Sequence, residues 1–273
     1  MLRTWPPVVG GFVVSKLGRK LILTGTALLV ALGLVVGGSL PANAATYSTI
    51  KLSRVGSSPT VAGEFVSFSG TTPAVLRGKT ITLQRMDPGQ TRWVSVGTGK
   101  VTQKGSFALR GKAAGMGKNQ WRAVYSGTNT YKSATLSTKV SKWLYLDELE
   151  KLDWYGFEPI DSVGVGATTY TRGVATDVTS RSEVTEYNLS YKCTSFVAGI
   201  GLSNASATGS KAKLSVGLDG VELTLAKSQG VGTGRAVKVD VTGTFRLALK
   251  FNPIVGDSAA VFGNARVLCS GTP

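Results

Sequence analysis

The chain has 273 residues and a formal net charge of +16; 42% of its residues are hydrophobic and 35 are glycine. A chain of this length can bury one or two cores, and abundant glycine without long helical periodicity beyond the N-terminus predicts β-rich domains with many turns. The sequence contains no histidine, which excludes the commonest general base and most zinc and haem sites.

The first 44 residues have the organisation of a secretory signal peptide. A basic block at residues 16–20 precedes an apolar run at residues 21–36, and Ala42-Asn43-Ala44 provides a small-x-small cleavage site. We therefore predict a signal peptide at residues 1–44 and a protein that is secreted, extracellular or associated with the cell wall. Residues 21–40 are also just long enough to span a bilayer as an uncleaved anchor, and only then do we expect contact with a membrane.

Residues 45–141 are predicted to form an immunoglobulin-like β-sandwich. Short segments with the alternation of strands recur about every ten residues, as that fold requires. The predicted strands are residues 48–52, 65–69, 80–85, 93–97, 106–109, 120–125 and 134–140. The segments that resemble bacterial Ig-like repeats of surface proteins are residues 63–70, 78–85, 93–99 and 121–128.

Aromatic residues are the predicted core of this first domain. It contains no cysteine, so burial alone must stabilise it, and the candidates are Phe68, Trp93, Phe107 and Trp121. The two tryptophans could instead be sugar platforms. We favour the core, because tryptophan inside a sandwich strand is usually buried.

The positive charge of the chain is concentrated in the same domain. Residues 45–142 hold fifteen Lys and Arg against two acids, Glu64 and Asp87, whereas residues 143–273 hold twelve against thirteen. We expect the basic domain to be attracted to anionic polymers of the cell envelope. The alternative is a solvated face with no fixed partner. Nucleic acid is not an expected partner, because export separates the protein from most of it.

Residues 143–273 are predicted to form a second sandwich. Leu144 to Leu149 is acidic and amphipathic and predicts a helical turn, and the Asp219-Gly220 dipeptide between alternating segments predicts a tight hairpin. The predicted strands after the glycine-rich stretch at residues 163–175 are 196–202, 213–218, 221–225, 236–241, 244–251 and 265–269.

The order of short motifs in this second half is specific. The motifs are Leu144-Tyr145-Leu146-Asp147, Tyr170-Thr171-Arg172-Gly173-Val174, Cys193-Thr194-Ser195-Phe196, Asp219-Gly220, Val239-Asp240-Val241-Thr242-Gly243 and Gly263-Asn264-Ala265-Arg266-Val267. In this order they resemble the NPCBM family of carbohydrate-binding modules, from Trp143 to Cys269. The resemblance implies a jelly-roll-like, galactose-binding-like β-sandwich that binds glycans. The fold class is therefore predicted as all-β throughout.

The chain has two cysteines, Cys193 and Cys269. In an oxidising compartment such a pair is most simply one disulfide, and a loop of this length contributes about 4 kcal/mol through the unfolded chain. A catalytic thiol is the alternative, but no histidine is present to activate it.

A sugar site needs an aromatic face and convergent polar groups. The candidates are Trp154, Tyr155, Asp177, Phe262, Asn264 and Arg266. Several of these candidates fall where the chain departs from the family pattern. The family has a histidine near the position of Asp177, and residues 261–265 take the place of the family's Asp-Trp-Ala-Asp-Ala segment. These departures are compatible with the β-sandwich scaffold, but they leave the sugar specificity undetermined.

No catalytic residue is predicted. The carboxylates at residues 147, 148, 150 and 153 could form a glycosidase pair, but their spacing is typical of a solvated acidic turn. No cofactor is expected, and structural calcium is left open. We predict a secreted, non-catalytic protein of the cell envelope that binds an envelope polysaccharide or another glycan. The alternative is a structural or adhesion protein whose second domain has lost sugar binding and contacts another protein.

Overall fold

The structure, a computed structural model, describes residues 50–57, 59–152 and 156–273. The predicted signal peptide and the two candidate site residues Trp154 and Tyr155 lie outside these residues. None of the described helices is long and apolar enough to cross a membrane.

Strands make up almost all of the regular structure, which confirms the all-β prediction. Those of the first half are β1 (Lys51–Val55), β2 (Thr60–Val61), β3 (Phe65–Thr71), β4 (Thr80–Met86), β5 (Val94–Lys100), β6 (Ser106–Lys112), β7 (Gly117–Ser126), β8 (Thr130–Lys132) and β9 (Leu136–Tyr145). Those of the second half are β10 (Glu158–Pro159), β11 (Val163–Val165), β12 (Thr168–Tyr170), β13 (Gly173–Ala175), β14 (Glu183–Asn188), β15 (Cys193–Leu202), β16 (Lys211–Leu218), β17 (Val221–Gly230), β18 (Gly234–Asp240), β19 (Arg246–Val255) and β20 (Ala260–Cys269). Two short 3₁₀ helices, Ala74–Leu76 and Leu146–Glu148, complete the described elements.

In the first half, two sheets enclose one core. One sheet has the order β1-β3-β6, and the other contains the run β9-β7-β4-β5. Phe68 and Trp121 pack with ring centroids 4.9 Å apart, and Phe107 belongs to the same buried cluster. The prediction that Trp93 belongs to the core is wrong, because this residue precedes β5 and is only half-buried. The guanidinium of Arg122 lies 4.1 Å from its ring centroid.

In the second half, the sheet β14-β19-β16-β17 packs over a sheet in which β20 is central. Along one edge β20 pairs with β15, which continues to β18; along the other it pairs with β13 and then with β9. Alternation explains the layering, because Leu214 and Val216 on β16 face Phe196 and Ile200 on β15 across the core.

One strand, β9, belongs to both halves. Its residues 136–140 pair with β7, and its residues 142–145 pair with β20. The predicted boundary at residue 142 falls inside this strand. In addition, Met116 of the first half packs against the core of the second. The two halves are therefore joined by a hydrogen-bonded ladder and by side-chain contact, and their division into separate domains stays a prediction.

The hairpin prediction is confirmed. Asp219 and Gly220 have φ values of 49° and 87°, and Leu218 pairs with Val221 on either side of them. Two central residues with positive φ are the hallmark of the type I′ turn that suits a two-residue hairpin.

The disulfide prediction is confirmed as well. Cys193 and Cys269 lie opposite each other on neighbouring strands β15 and β20 and are bonded. Both cysteines are buried in the core. The bond therefore ties β15, in the middle of the second half, to the last strand, β20.

Candidate functional site

A groove of about 530 Å³ lies on the outer face of the sheet formed by β9, β20, β15 and β18. Its lining includes two aromatic residues, two cations and an amide: Trp143, Tyr170, Lys238, Arg266 and Asn264. Small residues such as Gly199 and Ala236 form its floor.

Strand alternation places these side chains. On β20, Ala265 and Val267 are in the core, so Arg266 between them points outward. On β9, Leu144 packs against the core, which turns its neighbour Trp143 to the outer face. Arg266 pairs across the ladder with Tyr145.

The outward-facing side chains of Arg266 and Trp143 form a cation–π contact. The guanidinium carbon of Arg266 lies 4.8 Å from the ring centroid of Trp143 and 5.8 Å from that of Tyr145. Such contacts hold a guanidinium in place over an aromatic surface. The indole and the guanidinium therefore act as one ordered wall of the groove.

Tyr170 owes its position to two glycines. A Cβ built on Gly263 would lie well under 3.0 Å from the root of the Tyr170 ring, and one built on Gly199 would lie equally close to its hydroxyl end. The ring therefore extends across β20 and β15, at a distance from the sheet that only glycine allows. This contact fixes the ring as a half-buried aromatic surface in the groove.

A β-bulge presents Asn264. Val197 pairs with Arg266 and Gly199 with Gly263, so β20 has one more residue than β15 between these pairs. Asn264, with φ of 51°, is within the bulge, and its backbone N–H donates to the carbonyl of Arg172 at 2.7 Å. Bulges of this kind redirect a side chain, and the Asn264 amide is exposed beside the groove.

The predicted acidic turn lies next to the groove and is engaged by Arg172. The Nε of Arg172 donates to Asp147 Oδ2 at 2.9 Å, and its Nη2 donates to Glu148 Oε1. The hydrogen bond from Arg172 lowers the pKa of Glu148, and the two carboxylates raise the pKa of Arg172. The same guanidinium lies 3.7 Å from the ring centroid of Tyr145, the ring that Arg266 also approaches, so the acidic turn holds Arg172 beside Tyr145.

The cations in the groove itself have no such partner. Among the described residues, neither Arg266 nor Lys238 forms an ion pair. The Nε of Arg266 is buried and has no hydrogen-bond partner in the part of the chain that the structure describes. Within that part, no group of three or more cysteines or carboxylates could hold a metal ion.

Of the predicted site residues, the structure brings Asn264 and Arg266 together in the groove. It does not bring Asp177 to them. The backbone N–H of Thr176, the residue before Asp177, donates to the carbonyl of Ala260 at the far end of β20. Ala260 lies roughly 20 Å along the strand from Arg266. Asp177 is exposed there.

The prediction that Phe262 contacts a ligand is corrected by its burial. Its side chain is 0% exposed, and its ring makes an edge-on contact with Phe157 at 5.2 Å and a tilted one with Phe196 at 6.4 Å. An aromatic ring enclosed by two others in the core has no face left for a sugar.

Sequence reasoning missed Trp143, Tyr170 and Lys238. Tyr170 stands in the motif that carried the family resemblance, but nothing in the sequence shows that two distant glycines clear a place for its ring. Trp143 could have been found from alternation, since Leu144 and Leu146 beside it are apolar and predict an inward face.

A two-layer β-sandwich with a groove of aromatic, amide and cationic side chains on one sheet has the features of a carbohydrate-binding module. Residues 121–268 match the family model of the NPCBM/NEW2 domain. The chain belongs to this NPCBM family of carbohydrate-binding modules, as its motif order predicted, and the match begins before Trp143, within β7.

Two solved structures show remote similarity to this chain. The crystal structure of tripeptidyl peptidase 2 is 14% identical with a TM-score of 0.29, and the alignment covers 82% of this chain and 20% of that one. The structure of allantoicase is 10% identical with a TM-score of 0.21, covering 78% and 80%. This chain thus spans about a fifth of the length of the peptidase chain. At these scores neither similarity bears on function. No curated protein matches the chain.

Proposed function

We propose that the protein is a secreted, non-catalytic protein of the cell envelope that binds a glycan in the groove of its second half. The observation that carries the proposal is the placement of Trp143 and Tyr170 beside Asn264 and Arg266 on one sheet face. Aromatic rings pack against the C–H faces of a pyranose, while amide and guanidinium groups bond to its hydroxyls.

The order of these groups supports binding. Tyr170 is confined by Gly199 and Gly263, and Arg266 is held over Trp143. A ligand that meets groups already in place loses less conformational entropy on binding than one that must order them. The groove therefore has the preorganisation of a recognition site.

The surroundings of the groove fit a binder better than a hydrolase. Glycoside hydrolysis requires two carboxylates on either side of the scissile bond. The described residues that line the groove include no carboxylate, and the nearby Asp147 and Glu148 are held by Arg172. We infer that the protein retains a glycan without cleaving it.

The basic first half has a proposed role in attachment. We assign it as an Ig-like sandwich that adds electrostatic attraction to anionic envelope polymers. Its surface supports this role: Phe65, which is 55% exposed, has the guanidinium of Arg110 4.9 Å and the ammonium of Lys112 5.6 Å from its ring centroid. Export by the signal peptide at residues 1–44 would bring this surface to the envelope.

The test is binding of glycans to the full mature chain. On a glycan array and by calorimetry, we expect Trp143→Ala and Tyr170→Ala each to weaken binding at least about ten-fold, with circular dichroism verifying the fold. Trp93→Ala is the matched control, because it removes a half-buried tryptophan that also stacks on an arginine but lies outside the groove. If no glycan binds, or if all three variants bind like the wild type, the proposal is wrong.

The adhesion alternative has one observation in its favour. The strand β17 is at the edge of its sheet, and Val221 and Leu223 on it are 72% and 45% exposed. Exposed apolar side chains on a sheet edge are a common protein contact. The alternative holds if Val221→Ser with Leu223→Ser abolishes attachment to intact envelopes and Tyr170→Ala does not.

A further inference from the structure

The two cations of the groove lie in one row across the sheet. Arg266 on β20 pairs with Val197 on β15, and Val197 pairs with Lys238 on β18. Adjacent strands are just under 5 Å apart, so the backbones of Arg266 and Lys238 are about 10 Å apart. Their side chains rise from the same face, on either side of Val197.

The charge of this pair is not offset within the groove. Among the described lining residues there is no aspartate or glutamate. The nearest acidic residue on the same strand is Asp240, whose Oδ1 accepts from the backbone N–H of Thr242 at 2.8 Å and so faces the following turn. The positive charge of Arg172, by contrast, is offset by ion pairs with Asp147 and Glu148.

Arg266 also keeps an unused donor. Its Nε is buried without a hydrogen-bond partner among the described residues, while its guanidinium is held over Trp143. Because the Nε is enclosed, the terminal nitrogens of the guanidinium are the donors that a ligand in the groove can reach. A guanidinium forms its strongest, often bidentate, hydrogen bonds with oxyanions.

We propose that the groove takes an acidic sugar, with the pyranose ring against Trp143 and Tyr170 and an oxyanion substituent between Arg266 and Lys238. This inference rests on the proposed glycan-binding function and names the class of glycan. The substituent can be a carboxylate or a sulfate, since both offer paired oxygens to the same two cations.

The experiment compares three ligands on the full mature chain by calorimetry. They are a uronic acid oligosaccharide, the same oligosaccharide with its carboxylates reduced to alcohols, and the reduced form after O-sulfation. We expect the uronate or the sulfated form to bind at least about ten-fold more tightly than the reduced form. We expect Arg266→Gln, and to a smaller extent Lys238→Gln, to remove that difference.

Lys211→Gln is the control for general attraction by a basic chain, because it removes an exposed cation of the second half that does not line the groove. The inference is overturned if the three ligands bind equally, or if Lys211→Gln reduces the preference as much as Arg266→Gln does. In both cases glycan binding itself stands. If none of the glycans binds, here or on the array, the proposed function fails together with the inference. The ratio of uronate to sulfate affinity identifies the natural substituent.

Discussion

The ring of Tyr170 lies directly over the Cα of Gly263, so close that a Cβ at that position would overlap it. Gly263 itself is buried and pairs with both Gly173 and Gly199 in the ladder. The missing methyl group at Gly263, together with the one at Gly199, thus sets the place of one aromatic wall of the groove.

We expect Gly263→Ala to displace the Tyr170 ring. Overpacking of this kind typically costs about 1–3 kcal/mol, and the displaced ring should also weaken glycan binding about as much as Tyr170→Ala does. Urea unfolding and calorimetry measure the two effects.

The control is the same substitution in a Tyr170→Ala background. There the added methyl group meets no ring, so its cost in unfolding free energy should largely disappear. An equal cost in both backgrounds would show that the substitution acts on the backbone and not through Tyr170.

The buried Tyr187 makes the fold sensitive to alkali. Its side chain is 0% exposed, its hydroxyl has no partner among the described residues, and burial raises its pKa, with smaller contributions from Glu158 and Asp147. The unfolded chain ionises this group near pH 10. Its contribution to stability is therefore complete below pH 10 and is lost as the pH rises toward the folded-state pKa.

Tyr187→Phe should remove that part of the alkaline loss. At pH 7 the variant should be as stable as the wild type or more stable by up to about 1 kcal/mol, since it deletes an unpaired buried hydroxyl. Urea unfolding at pH 7 and at several values above pH 10 measures this. A clear loss of stability at pH 7 would mean that the hydroxyl has a partner in the folded protein.

The disulfide should contribute strongly to the stability of the second half. Because it closes the long loop between Cys193 and Cys269, replacing both cysteines by serine should lower the unfolding free energy by about 4 kcal/mol. Reduction of the wild type should give a similar decrease. An unchanged urea midpoint in both experiments would contradict this account of the bond.

Attachment through the basic half should depend on salt. We expect Arg110→Gln with Lys112→Gln to weaken binding to an anionic polymer such as polyphosphate several-fold at low ionic strength, and the difference to shrink as salt screens the charges. The matched control is Lys211→Gln with Lys227→Gln, which removes two exposed charges from the second half. Equal effects of the two pairs would show that net charge alone matters.

Some features follow from neighbouring residues in the sequence and were predictable. Alternation along β3 and β4 places Phe68 and Leu83 inward because a strand has a period of two. The Asp219-Gly220 turn follows from the ability of these two residues to take positive φ. The Cys193–Cys269 pair follows from the presence of only two cysteines in a chain predicted to be exported.

The groove was predicted only in part, because a strand covered on both faces loses its alternation. Residues 260–263 of β20 are all buried, since the core covers one face and the hairpin of β11 and β12 brings Val165 and Tyr170 over the other. The sequence pattern around Phe262 therefore does not indicate which face of the sheet its side chain takes, and its prediction as a ligand contact is wrong for this reason. Arg266, beyond this covered part, lies on the open face.

The sequence by itself determined the strands, the hairpin, the cysteine pair and the family, because each depends on residue types at short spacing or on their order. Only the tertiary structure decided which residues form the groove. Trp143, Tyr170 and Lys238 come from β9, β12 and β18, and they meet Arg266 only because β20 is paired on both edges. Such a meeting depends on strand register and on the room left by Gly199 and Gly263, which no local pattern encodes.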